Sequence, residues 1–228
     1  VLNRGEVGMI ASSTKVGKTW AMMGLTFCVL SGTPYLGMDC RQGKILYIDN
    51  ELREKTIHER TRRLCTHHDE VSTTKWMPFR NDFMYITNRL EGATVEKVLS
   101  QIDLACEQQD IALVIVDPLR AIIGNESDVE LASSVAHQFL ACAERNNVGI
   151  ILVHHFPKGD ASSKAAIDRF SGSGAWASTI DTVMTVTALE KDDRVRAWLE
   201  NNLSEIWPNC NSIDSENPIE DASPARIE

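Results

Sequence analysis

The chain has 228 residues, 43% of them hydrophobic and 24% charged, a size and balance that suit one large α/β domain with a sizeable core. The formal net charge is −9, of which the last 28 residues supply −5 and residues 1–200 about −4; this argues against a broadly basic face for duplex nucleic acid and leaves room for a local basic loop. No apolar run approaches the roughly 18 residues of a membrane span, and the cysteines (Cys28, Cys40, Cys65, Cys106, Cys142 and Cys210) form no CxxC pair and follow no secretory signal, so reduced thiols and a cytoplasmic location are expected.

The chain opens on Val1 rather than methionine, so flanking segments are expected. Val7, Met9 and Ile10 alternate with smaller residues and predict a strand, and helix-compatible sequence runs from Trp20 to Leu30. Between them lies IASSTKVGKTW, which reads as a phosphate-binding loop in its required strand–loop–helix setting. Gly17 lets backbone N–H groups close around phosphate, Lys18 can reach β- and γ-phosphate oxygens, and Thr19 offers a hydroxyl to Mg²⁺. Nucleotide is expected against Ser13, Thr14, Lys15, Val16, Gly17, Lys18, Thr19 and Trp20. Ser12 stands where such loops usually carry their first glycine. Trp20 either stacks on a base or packs into the core.

Further along, KILYID (residues 44–49) predicts a strand and residues 53–66 an amphipathic helix with Ile57 and Leu64 as apolar anchors. Residues 83–86 predict another strand, and Val95, Val98, Leu99, Ile102 and Ala105 recur at helical spacing. IALVIV (111–116) and VGIILV (148–153) are apolar on consecutive residues, as strands of a parallel sheet covered on both faces must be. Ser127-Asp128-Val129-Glu130 predicts a capping box opening a helix with Leu131, Val135, Phe139 and Cys142 on one face. Residues 182–187 and 195–199 predict late strands, expected to be antiparallel. The alternation specifies a doubly wound α/β sheet with ligands beyond the carboxyl ends of its strands.

Those ends carry the chemistry. After KILYI come Asp49, Asn50 and Glu51; after IALVIV comes Asp117; after VGIILV come His154 and His155. Asp117 fits a carboxylate holding the water shell of Mg²⁺, its alternative being a turn-forming Asp-Pro with Pro118. Glu51 fits the group that orients or deprotonates an attacking water, its alternative being a glutamate favoured at a helix start. Asp49 is expected to support the strand end. His154 and His155, adjacent on a strand, point to opposite faces and lack a third ligand nearby; the expectation is one buried ring and one facing the γ-phosphate. His58, His67 and His68 with Asp69 and Glu70 read as a solvated helix end.

Taken together, ASSTKVGKT, SGTPYLG (31–37), ILYIDNEL (45–52), LVIVDPLRAI (113–122), ILVHHFPKG (151–159) and DRFSGSGAWA (168–177) resemble the RecA-like hexameric ATPases, in particular the group of plasmid RepA-type replicative helicases and their phage and prophage relatives. The resemblance covers residues 5 to about 200. It implies a RecA-like P-loop NTPase domain over residues 1–200, with a mostly parallel sheet and C-terminal antiparallel strands, followed by an acidic, poorly ordered tail over 201–228. It implies ATP and Mg²⁺ as cofactors, Lys18 and Thr19 on nucleotide and metal, Glu51 as water activator, Asp117 on the metal, and His155 rather than His154 as γ-phosphate sensor. It implies a homo-oligomer, a hexamer in this group, in which an arginine reaches the neighbouring subunit's site. Arg169 is the nearest candidate, and Ser178 stands where many phage relatives carry an arginine. The long loop from Pro157 to Phe170, with Lys158, Lys164 and Arg169 against Asp160 and Asp168, corresponds to the channel-facing loop of ring helicases and is expected to touch single-stranded DNA.

The expected function is therefore Mg-dependent ATP hydrolysis by an oligomeric RecA-like motor, helicase-like, acting on single-stranded DNA in replication or recombination. An ATPase switch or loader acting on protein partners is the alternative, favoured by the acidic charge. A P-loop small-molecule kinase stands third, because the sequence offers no arginine-rich substrate lid.

Overall fold

The computed structural model describes residues 2–12, 16–71, 81–90, 92–124, 128–155, 174–188 and 225–227. Among the described residues seven strands form one sheet: β1 (Val7–Ser12), β2 (Lys44–Asp49), β3 (Phe83–Thr87), β4 (Ile111–Asp117), β5 (Gly149–His155), β6 (Thr182–Ala188) and β7 (Ala225–Ile227), in the spatial order β3-β2-β4-β5-β1-β6-β7. The helices are α1 (Lys18–Ser31), α2 (Glu54–Val71), α3 (Val95–Gln108), α4 (Val129–Asn146) and α5 (Gly174–Thr179).

The period-2 geometry of a strand explains why the central runs are apolar at every position. On one face Leu46, Ile48, Val114, Val116, Ile150 and Leu152 pack with Val98 and Ile102 of α3 and with Val135 and Phe139 of α4. On the other, Ile45, Tyr47, Leu113, Ile115, Ile151 and Val153 pack with Met22, Met23, Val29 and Leu30 of α1. A doubly wound sheet results, with Ile57 of α2 also buried. The side chain of Leu64 lies outside the described ones. Among the described residues no helix is long and apolar enough to cross a membrane.

Two local expectations are corrected. The cap of α4 is Asp128 rather than Ser127: the Asp128 carboxylate accepts from the N–H groups of Glu130 and Leu131, at 3.0 and 3.1 Å. Both residue types cap well, and an aspartate one position later adds a charge favourable to the helix dipole; Ser127 itself is outside the described residues. Strand β6 runs parallel to β1, Gly8 facing Thr182 and Ser12 facing Val186, rather than antiparallel. The chain passes from β5 to the far side of β1 by a crossover that includes α5, whose Trp176 is 1% exposed in the core, and such a crossover brings the next strand in parallel. The antiparallel member is β7, paired with β6 through Val186–Ile227, Thr187–Arg226 and Ala188–Ala225. The strand expected at 195–199 and the remainder of the tail lie outside the described residues.

Six parallel strands end on one edge, and register sets which side chains meet there. Asp49 lies opposite Asp117 in the β2–β4 pair, and Ser12 opposite His155 in the β1–β5 pair. The outer five-strand group β3-β2-β4-β5-β1 thus delivers every strand-end residue singled out from the sequence to a single edge.

Candidate functional site

At the start of α1, Gly17 adopts φ +94°, a left-handed conformation that admits glycine with little strain, and no side chain among the described residues caps the helix. The first N–H groups of a helix have no intrahelical partner, so this end presents donors and positive dipole to an anion. Lys18 follows at once. It is 5% exposed, and its ammonium donates to the Ser12 carbonyl oxygen at 3.0 Å and to Ser12 Oγ at 2.7 Å. Burial pulls its pKa down to about 8, opposed by the Asp117 carboxylate. A cation stripped of water in this way gains from an anionic ligand.

Thr19 Oγ1 donates to Asp117 Oδ2 at 3.0 Å, joining the phosphate-loop helix to the end of β4. The same oxygen accepts from Tyr47 Oη at 2.7 Å, and Tyr47 is buried on the α1 side of β2. Burial raises the proton affinity of Asp117, while the Tyr47 and Thr19 hydroxyls and the Lys18 charge oppose the rise. A threonine hydroxyl and an aspartate oxygen side by side are hard donors of the kind Mg²⁺ takes, and the magnesium ion usually keeps several waters. With the uncapped helix start and the buried lysine, this donor set fits a Mg²⁺–triphosphate.

Beyond β2, Asp49 Oδ1 accepts from the N–H groups of Glu51 and Leu52, at 2.8 and 2.6 Å, fixing the turn that carries Glu51. Its other oxygen is buried and, among the described residues, makes no hydrogen bond. Burial raises the Asp49 pKa to about 6 against these two hydrogen bonds. Asn50 extends the support: its N–H donates to the Asp117 carbonyl at 2.8 Å, and its side-chain oxygen accepts from Asn88 Nδ2 at 3.1 Å, which in turn meets Gln101 of α3. Glu51 itself is half exposed and pairs with Arg120 at 3.3 Å, from Nη2 to Oε1.

The histidines occupy opposite sides of β5, His154 2% exposed and His155 half buried. Both have pKa values pushed down to about 4, first by burial and next by the Lys18 charge, so both rings are neutral at pH 7. Nδ1 of His155 is buried and has no hydrogen-bond partner among the described residues. There is also no cluster of three or more His, Cys, Asp and Glu side chains suited to a metal among those residues.

Lys18, Thr19, Glu51, Asp117 and His155 therefore share one edge of the sheet. Val16 packs into the α1-side core, and Trp20 is half buried with the Arg60 guanidinium 5.4 Å above its ring, a cation–π contact between α1 and α2. Ser13, Thr14, Lys15, Arg169 and the whole of the loop at 157–170 lie outside the described residues. Sequence reasoning passed over Tyr47, Asn88 and Arg120. Tyr47 and Arg120 stand inside the runs KILYID and LVIVDPLRAI, but only strand register reveals which acid each one meets.

The sequence matches the model of a family described as AAA domain over residues 1–161. No curated protein matches it. Among solved structures the chain is similar to one described as an ATPase domain, with a TM-score of 0.56 and 12% sequence identity, covering 81% of this chain and 70% of that one. At that identity the likeness concerns the fold alone.

Proposed function

The chain belongs to the AAA domain family and is an ATPase of RecA-like fold, and from that premise we propose that it hydrolyses Mg-ATP as a homo-oligomer, a hexameric ring, that acts on single-stranded DNA. The observation that carries the hydrolytic part is the hydrogen bond from Thr19 to Asp117, with Glu51 on the adjoining strand end. The uncapped start of α1 and Lys18 bind the β- and γ-phosphates, with residues 13–20 as the nucleotide-contacting stretch. Thr19 and Asp117 hold Mg²⁺, Asp117 through its water shell; bound there, the ion neutralises charge developing on the phosphate oxygens. Glu51 orients a water and accepts its proton. His155, neutral and with a free Nδ1 among the described residues, meets the terminal phosphate and registers its loss.

The DNA and ring parts draw on the RecA-like resemblance and on the basic residues Lys158, Lys164 and Arg169 between positions 157 and 170. A second reading, an ATPase switch or loader acting on protein partners, draws on the net charge of −9.

The metal assignment has its own test. Asp117→Asn is expected to weaken nucleotide binding in Mg²⁺ by about 10-fold or more, the cost of roughly one charged interaction, and to leave binding in EDTA nearly unchanged. Titration of a fluorescent ATP analogue under both conditions reads the difference. Equal loss in both conditions would mean that the substitution damages the fold around Tyr47 and Thr19, and the metal role of Asp117 would fall.

A further inference from the structure

Arg120 sits on a 3-10 turn, Leu119–Ala121, directly after the Asp117-Pro118 peptide, and Leu119 is fully buried beneath it. The turn is tied to the one that carries Glu51: the Asn50 N–H donates to the Asp117 carbonyl, and Asn50 Nδ2 to the Pro118 carbonyl at 3.5 Å. On the other side, Asp49 Oδ1 fixes the backbone of Glu51 and Leu52. The backbone of Glu51 is thus set from two directions, while its side chain is half exposed. Arg120 Nη2 meets that carboxylate at 3.3 Å.

A pair so exposed contributes little to stability, so stability does not account for its placement. Location is more informative. Arg120 follows Asp117 by three residues on the turn that ends β4, which sets its guanidinium at the strand-end edge that also carries Thr19, Asp117 and Glu51. A carboxylate that must accept a proton from a water works only within a narrow geometry, and a displacement of about 1 Å can cost on the order of 10²-fold in rate.

We propose that Arg120 is a positioning residue for hydrolysis, its guanidinium holding the Glu51 carboxylate over the phosphate-binding edge so that Glu51 can receive the proton of the attacking water. The proposal rests on the reading of Glu51 as the water-activating residue. Arg120 acts within its own subunit and through Glu51, so it differs from an arginine supplied to a neighbouring site.

The test is a double-mutant cycle on the full chain, read by single-turnover ATP hydrolysis and by nucleotide affinity. Arg120→Ala is expected to lower the hydrolysis rate by about 10- to 100-fold and to change the affinity for ATP by less than about threefold. Arg120→Lys, which keeps one charged donor and loses the planar fork, should recover part of the rate. In a Glu51→Gln background, Arg120→Ala should add no further loss, because there is no carboxylate left to hold. Full activity of Arg120→Ala with an inactive Glu51→Gln overturns the positioning role and leaves Glu51 in place. An equal further loss in the Glu51→Gln background also overturns it, since Arg120 would then act on the phosphate or the fold directly. Normal hydrolysis by Glu51→Gln alone would remove the premise instead. Arg120→Gln, retaining polarity and length, repeats the first measurement should the alanine variant prove unstable.

Discussion

Glu51→Gln is expected to keep ATP and lose its hydrolysis, the rate falling by about 10²- to 10⁴-fold, the usual worth of a positioned general base. The amide has the same shape as the carboxylate and reaches the same place, but it takes no proton from water. The phosphate cradle has anchors of its own: Lys18 donates to Ser12, and Thr19 donates to Asp117. Affinity for ATP should therefore stay close to that of the unaltered chain. Rapid-quench hydrolysis and equilibrium binding separate the two effects. Normal turnover in this variant would return Glu51 to the role of a residue favoured at a helix start, paired with Arg120 on the surface.

A still larger effect is expected at Arg169. If its guanidinium completes the site of the next subunit, Arg169→Ala should lower turnover by about 10³- to 10⁵-fold, the worth of an arginine finger. It should do so without loss of nucleotide binding, which depends on residues of the same chain. The discriminating arrangement is a mixture. Arg169→Ala subunits keep a working phosphate loop and supply no finger; Lys18→Ala subunits supply the finger and have no working loop. Mixed interfaces should recover turnover that neither variant has alone. Turnover per subunit by the unaltered chain should also climb with protein concentration as rings assemble. Absence of rescue in the mixture, together with full activity in a strictly monomeric preparation, would remove Arg169 from the chemistry.

Much of the fold was legible because the central strands announce themselves. IALVIV and VGIILV are buried on both faces, and only a covered parallel sheet asks for that pattern. Their polar ends were legible for the same reason: a carboxylate or imidazole directly after six apolar residues lies at a sheet edge. Strand direction at β6 was not legible, since it depends on the crossover around β1 rather than on the composition of Thr182–Ala188. The α4 cap was misplaced by one residue because serine and aspartate stand together there and either can accept the N–H groups of the first turn. Within the site, the acids and Lys18 could be picked out, but their partners could not. That Tyr47 donates to Asp117 and that Arg120 meets Glu51 follow from the β2–β4 register, which places Asp49 opposite Asp117, while Asp49 holds the Glu51 turn by local hydrogen bonds to the next N–H groups of its own chain. The deep burial of Lys18, which moves its pKa to about 8, likewise comes from tertiary packing and leaves no mark on the motif.

The central claim, an oligomeric ATPase that acts on single-stranded DNA, is tested most directly by phosphate release from Mg-ATP with and without a single-stranded oligonucleotide, at protein concentrations that support assembly. The account predicts that the oligonucleotide raises turnover per subunit, that the rise shrinks as salt weakens binding by Lys158 and Lys164, and that Glu51→Gln abolishes it. Identical turnover with and without the oligonucleotide at every salt concentration, from a chain that otherwise hydrolyses ATP, would contradict it and leave a protein-directed ATPase in its place.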